Sequence, residues 1–286
     1  MSKISLYAGM MLIASAVFIA CDKKDDPAKQ QARLLVANAA VSSPVSPSPL
    51  PTAGPAVDVR WDRQFIIPNV IYGAASVTTG SPVTSVSAAQ FITATYAGVK
   101  PGAFGLNLAV AGQGGSNGVT IYDRTTSLLP GKSYTAVAFD FTPLYRVHLM
   151  EDDLSAPAAG KVKVRFLHTI PPNILASVPR RDTIDLTFTG GTVAAPLSNT
   201  AIYSLRNFGD AFQNQNLTRF TALDSGRYNI GIRIAGTPGT APASGLLGLF
   251  PSLRLVEGKI YTIIARVNIP GLVSSQPAAL TIIQHN

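Results

Sequence analysis

Apolar and polar residues alternate in short runs along much of this 286-residue chain. In Phe104-Gly105-Leu106-Asn107-Leu108-Ala109-Val110 the apolar side chains recur at every second position, so a strand here buries one face and leaves the other wet or lightly packed. Val57, Val59 and Trp61 share a face opposite Asp58, Arg60 and Asp62, which predicts a core position for the single tryptophan. Lys100-Pro101-Gly102, Pro130-Gly131-Lys132, Asp224-Ser225-Gly226 and Glu257-Gly258-Lys259 are turn sequences that feed the next apolar run. No long stretch carries a 3.6-residue amphipathic period. The pattern predicts many short strands joined by tight turns.

The same pieces occur twice in the same order. "YAGVKPGAFGLNLAVAG" (96–112) aligns without a gap on "FTALDSGRYNIGIRIAG" (220–236), and "LLPGKSYTAVA" (128–138) on "LVEGKIYTIIA" (255–265). "VDVRW" (57–61) matches "IDLTF" (184–188), which sets Trp61 on Phe188 and Asp58 on Asp185. An acidic residue repeated in one slot predicts a structural task, such as bonding a neighbouring turn. The expected organisation is one β-sandwich module over 32–149, a linker over 150–160 and a second module over 161–286.

Ahead of the modules, an almost unbroken apolar run from Ile4 to Ala20 follows Lys3 and ends at Cys21, the only cysteine. The run is too short and too poorly flanked for a membrane span and reads as a secretory signal over 1–20. The residues before Cys21 resemble a bacterial lipobox, with Phe18 in place of the usual Leu. That resemblance implies cleavage before Cys21 and attachment of palmitate-class acyl chains. Each buried CH₂ contributes ~0.8 kcal/mol, so two or three chains hold where one would not. The polar stretch 21–31, "CDKKDDPAKQQ", reads as a tether, and its Lys-Asp-Asp run resembles the export signal of Bacteroidetes-type surface lipoproteins.

"RLLVANAAV", "PAVDV", "YGAAS", "YAGVKPGAFGLNL" and "LLPGKSYTAVAF" resemble one copy of the bacterial domain-of-unknown-function family 4397. "HLMEDDLSAPAAGKVKVRFLHTIP" resembles the junction at which such modules follow in tandem, and the likeness runs from Arg33 to about Val267. "SSPVSPSPLPTAG" is an insertion in the first copy, and "SVPRRDTIDL" departs from the usual pattern in the second. The resemblance implies an all-β fold of two tandem immunoglobulin-like sandwiches in a secreted or surface-anchored protein, and it supplies no activity.

Composition agrees with strands and turns: 47% of residues are hydrophobic, 13% are charged, and glycine (24) and proline (21) are frequent. The formal charge of +8 is uneven. Residues 32–149 hold seven basic and four acidic groups, whereas residues 160–286 hold twelve and five. The basic residues of the second half are mostly isolated, and in Lys161-Val162-Lys163-Val164-Arg165 they alternate with valine as on a wet strand face, which argues against nucleic-acid binding.

Candidate chemistry is sparse. Gly114-Gly115-Ser116-Asn117-Gly118 fits the spacing of a nucleophile elbow but precedes a strand-like run rather than a helix, so it reads as a hairpin loop. His148, His168 and His285 lie at no metal-ligand spacing. Glu151, Asp152 and Asp153 form the densest acidic cluster of the modules and are the candidates for a metal-stiffened hinge, against a solvated linker. Loops 42–55, 190–216 and 236–250 are the candidate recognition elements. Tyr203, Phe208 and Phe212 are the aromatic candidates for a sugar-binding surface. Leu246, Leu247 and Phe250 in "GLLGLF" form an apolar stretch expected to pack on the other module or on a partner.

These features point to a non-enzymatic surface lipoprotein acting in binding, adhesion or envelope organisation, which requires no cofactor and is held by Cys21 in the outer membrane, facing the exterior in preference to the periplasm, with a surface protein or glycan as its expected partner. The rival readings are a carbohydrate-binding accessory protein of a glycan uptake system and a hydrolase without a local motif, for which a pocket joining His168 to a carboxylate would be needed.

Overall fold

A computed structural model describes residues 30–41, 56–72, 89–111, 119–140, 145–172, 183–191, 196–209, 214–235, 245–268 and 277–286. Cys21, Phe212, the glycine-rich loop 112–118 and the loop 42–55 lie outside them. The described part is an all-β structure of seventeen strands in four sheets. Among the described residues no helix is long and apolar enough to cross a membrane.

The first outer sheet has the order β3 (Gln64–Val70), β2 (Val57–Trp61), β6 (Gly102–Val110), β7 (Thr120–Leu128). It packs on the first inner sheet, β5 (Ala97–Val99), β1 (Ala32–Asn38), β8 (Ser133–Phe139), β9 (Arg146–Glu151). The second inner sheet runs β13 (Thr221–Asp224), β10 (Lys161–His168), β16 (Ile260–Val267), β17 (Ala278–Gln284), β4 (Ala89–Thr93). Its outer partner is β12 (Pro196–Asn207), β11 (Thr183–Gly191), β14 (Gly226–Ile234), β15 (Leu246–Leu255).

Each half has a main core, the second also taking in Val41 and Tyr72 of the first half, and the sequence repeat is a structural one. Val57 pairs with Val110 in the first half, and Ile184 pairs with Ile234 in the second. β1 runs parallel to β8 with Arg33 opposite Ser133, and β10 runs parallel to β16 with Lys163 opposite Ile260. Trp61 and Phe188 are both buried, as the alternation predicts. The Trp61 indole N–H donates to the Lys100 carbonyl at 2.9 Å, and its ring meets Phe104 edge-on. Asp58 accepts the Asn69 amide at 2.9 Å, which braces a residue held at φ 51° in the left-handed region.

The inner sheets are buried on both faces. Leu34 and Val36 of β1 face the first core, whereas Leu35 and Ala37 point to a third apolar cluster shared with Val137, Met150, Leu167, Ile264 and Ile283. That cluster joins the two halves, so the four sheets stack as consecutive layers. Continuous runs such as "ARLLVAN" and "IYTIIARV" have this physical cause, since a strand covered on both sides has no wet face to mark.

Three elements differ from the expectations. Within the expected loops 190–216 and 236–250, the described residues include strand, namely β12 at Pro196–Asn207 and the start of β15 at Leu246–Phe250, while 192–195, 210–213 and 236–244 lie outside the described residues. Their pairings contain three and two register shifts respectively, and such bulges break the period of two by which strands are recognised. β4, drawn from the first half of the chain, pairs in parallel with β17 of the second, from Leu280 opposite Ala89 to Gln284 opposite Thr93.

Candidate functional site

A dense gathering of titratable side chains lies between the two inner sheets. Asp152 follows β9, and its amide is tied to the Ser133 carbonyl at 2.8 Å. Its carboxylate turns inward and accepts from Arg165 Nη2 at 2.5 Å, Thr135 Oγ1 at 2.7 Å and Tyr96 Oη at 2.7 Å. Arg165 comes from the opposite half, and neither side chain of the pair is accessible to solvent. Arg165 Nε donates to Thr262 Oγ1 at 2.7 Å, and the guanidinium lies 4.6 Å from the Phe220 ring centroid.

His285 closes the cluster. Its Nδ1 is 2.7 Å from Tyr96 Oη and its Nε2 is 2.6 Å from Thr262 Oγ1. Because Tyr96 gives its only proton to Asp152, and Thr262 already accepts from Arg165, the network is satisfied by a neutral ring protonated at Nδ1. Burial pushes the His285 pKa down to about 4, and the Arg165 charge lowers it further while Asp152 opposes. His148 is also held at about 4, by burial and then by Arg165. Burial, reinforced by Asp152, raises the Tyr96 hydroxyl well above the usual tyrosine range. The positions are paired across the repeat. Asp152 and His285 occupy equivalent places after β9 and β17, Thr135 matches Thr262, and Tyr96 matches Phe220.

The acidic candidates for a metal-stiffened hinge are thus engaged by cations. Glu151 meets Lys132 at 2.7 Å, Asp152 meets Arg165, and Asp153 meets Lys163 at 2.7 Å. Asp153 also accepts from the Ser155 hydroxyl and amide, and these bonds with Lys163 hold its carboxyl down at about 2. Among the described residues no group of three His, Cys, Asp or Glu is placed to hold a metal ion. The junction is a locked joint at Asp152 rather than a solvated linker there.

The other predicted residues do not converge. Tyr203 is buried in the second core and donates to the Val164 carbonyl at 2.5 Å. Phe208 is half-buried and packs edge-on against Phe139 and His168, with Arg146 above it. These two therefore line no open aromatic groove, and Phe212 lies outside the described residues. Leu247 and Phe250 are buried in a core cluster made mostly of second-half residues together with Val41 and Tyr72 of the first, so they are not exposed to a partner, while Leu246 is half-buried. Leu249, between them, is the residue that faces solvent. His168 is buried, and its Nδ1 accepts the Ile170 amide at 3.3 Å.

The interior cluster itself had been legible only as separate charges. Its one signal in the sequence is Arg165 at a position whose repeat partner, Leu35, is apolar.

Comparison with known families fits this picture. Residues 50–174 match the family described as "Domain of unknown function (DUF4397)". The DUF4397 match begins before β2 and ends just beyond β10, so it spans the joint and includes the carboxylate and the arginine that meet there. No curated protein matches the chain.

Proposed function

We propose that this protein is a non-enzymatic, lipid-anchored surface protein that works by binding. The observation that carries the reading is the apolar run ending at the sole cysteine, followed at once by "DKKDD". A lone cysteine has no disulfide partner within the chain, and two or three acyl chains on it would give lasting membrane attachment. The folded part supports binding over catalysis by how it uses its polar groups. Asp152, Arg165 and His285 are consumed in joining the halves, away from solvent, where no substrate reaches them. Recognition then falls to strand edges and loops carried by a stiff four-layer body.

The test is incorporation of a labelled fatty acid in a bacterial host, with the full chain and with Cys21→Ala. Label is expected in the full chain and absent from the variant, with the full chain in the membrane fraction. Equal labelling of both, or none in either, overturns the anchored reading.

A further inference from the structure

Two equivalent strand edges are treated differently by this fold. β8 and β16 align residue for residue, so pairing carries the equivalence outward: Tyr134 opposes Glu151, and Tyr261 opposes Gln284. β9 and β17 therefore hold the same place in the two inner sheets, with Val147, His148, Leu149, Met150 and Glu151 matching Leu280, Thr281, Ile282, Ile283 and Gln284. The outer edge of β17 is covered by β4, and β17 is buried along nearly its whole length. β9 has no strand on its outer edge among the described residues, and Val147, His148 and Leu149 are only half-buried.

The repeat also explains why no described strand covers this edge. The stretch of the second half equivalent to β4 falls at 213–217, whose described residues form a 3-10 turn over Gln215–Thr218 capped by Asn214. Arg206 Nη2 holds the Leu217 carbonyl at 3.2 Å and keeps this turn beside β10. The asparagine- and glutamine-rich sequence there favours such local side-chain bonding over a strand.

We propose that the outer edge of β9 is a docking site for an extended segment of another polypeptide, added in parallel as β4 is added to β17. Main-chain bonding supplies the affinity in this mode, and alternate side chains supply the choice of partner. The occupant's chemistry follows from β4: a short uncharged strand whose residue matching Ile92 is apolar and turns to the inter-sheet cluster. The phase of the free groups is fixed. The Asp152 amide points back to Ser133 on β8, so the neighbouring peptide groups of Glu151 and Leu149 point outward. On β17 the equivalent Gln284 carbonyl does accept from Ala94, at 2.7 Å. The inference deepens the binding reading and rests on it in treating the edge as functional, whereas the fatty-acid experiment is indifferent to it.

The probe is a fluorescent peptide of residues 88–96, "AAQFITATY", titrated into the full chain by anisotropy. Saturable binding is expected. It should weaken at least about tenfold in Glu151→Pro, which removes an outward amide and leaves the bonds to β8 in place. The same loss is expected for a peptide N-methylated at Ile92, a control that leaves the protein unaltered. Binding unaffected by both changes would place the peptide elsewhere, at β17 or on the outside of β4, and would overturn the proposal. So would an absence of saturation up to about 1 mM, the weak end of specific recognition. Self-association of the chain that Glu151→Pro abolishes would assign the edge to a second copy instead.

Discussion

His285 shows what a single residue contributes here. It is kept neutral because burial disfavours its charged form, because a second positive charge beside Arg165 is unfavourable, and because Tyr96 and Thr262 satisfy both ring nitrogens. His148 faces the same cation. Both pKa values fall from 6.5 in the free side chain to about 4 in the fold. The unfolded chain therefore binds more protons between those values, so the stabilisation is complete above pH 6.5 and is lost as pH falls toward 4. The expected outcome is a steep drop in unfolding free energy between pH 7 and pH 5, limited to about 1.4 kcal/mol per pH unit for each histidine. Urea denaturation at several pH values measures it. A double variant, His148→Leu with His285→Asn, should flatten the slope even if it is less stable at neutral pH, and an unchanged slope would refute the assignment. Little of this was legible in the sequence beyond the mismatch of Arg165 with its apolar repeat partner Leu35. Asp152 and Arg165 sit in the charged runs "EDD" and "KVKVR", where alternation marks a wet face. Arg165 instead lies on the second buried face of an inner strand, which only the stacking of the halves creates.

At the scale of the element, β15 separates what periodicity can reveal from what it cannot. β6 and β14 keep strict alternation and were readable, as were the turns before β8 and β16. In "LLGLF" the register shifts place Leu247 and Phe250, three residues apart, on the core face and leave Leu249 outside. The run consequently resembled an apolar patch in a loop. The outcome for substitution follows from burial. Leu247→Ser and Phe250→Ser should each lower the unfolding free energy by about 3–5 kcal/mol, whereas Leu249→Ser should stay within about 0.5 kcal/mol. Urea denaturation of the three single variants distinguishes them, and equal small effects would mean that β15 is not part of the core. β4 was unreadable for another reason. Its partner strand lies almost two hundred residues further along the chain, and a strand of five residues gives little signal without its sheet.

Across the whole molecule, the question is whether the halves behave as beads on a string or as one body. The residues that join them come from both sides of the junction. Tyr96, Thr135 and Asp152 precede it, and Arg165, Thr262 and His285 follow it. Breaking a buried pair such as Arg165–Asp152 leaves an uncompensated charge, which costs about 3–5 kcal/mol. Main-chain bonds from β4 to β17 and the apolar cluster of Leu35, Leu167, Ile264 and Ile283 act across the same boundary. The peptide link itself, by contrast, is exposed at Ser155, Ala156, Ala158 and Ala159. Covalent continuity there serves to raise the effective concentration of the halves and is not what holds their orientation. A protease site inserted after Ala156 and cut in the folded protein should therefore leave two fragments that co-elute on size exclusion and separate only in denaturant. Fragments that part in native buffer would mean that the interface is too weak to orient the halves, and the strand edges on the two sides would then be presented independently.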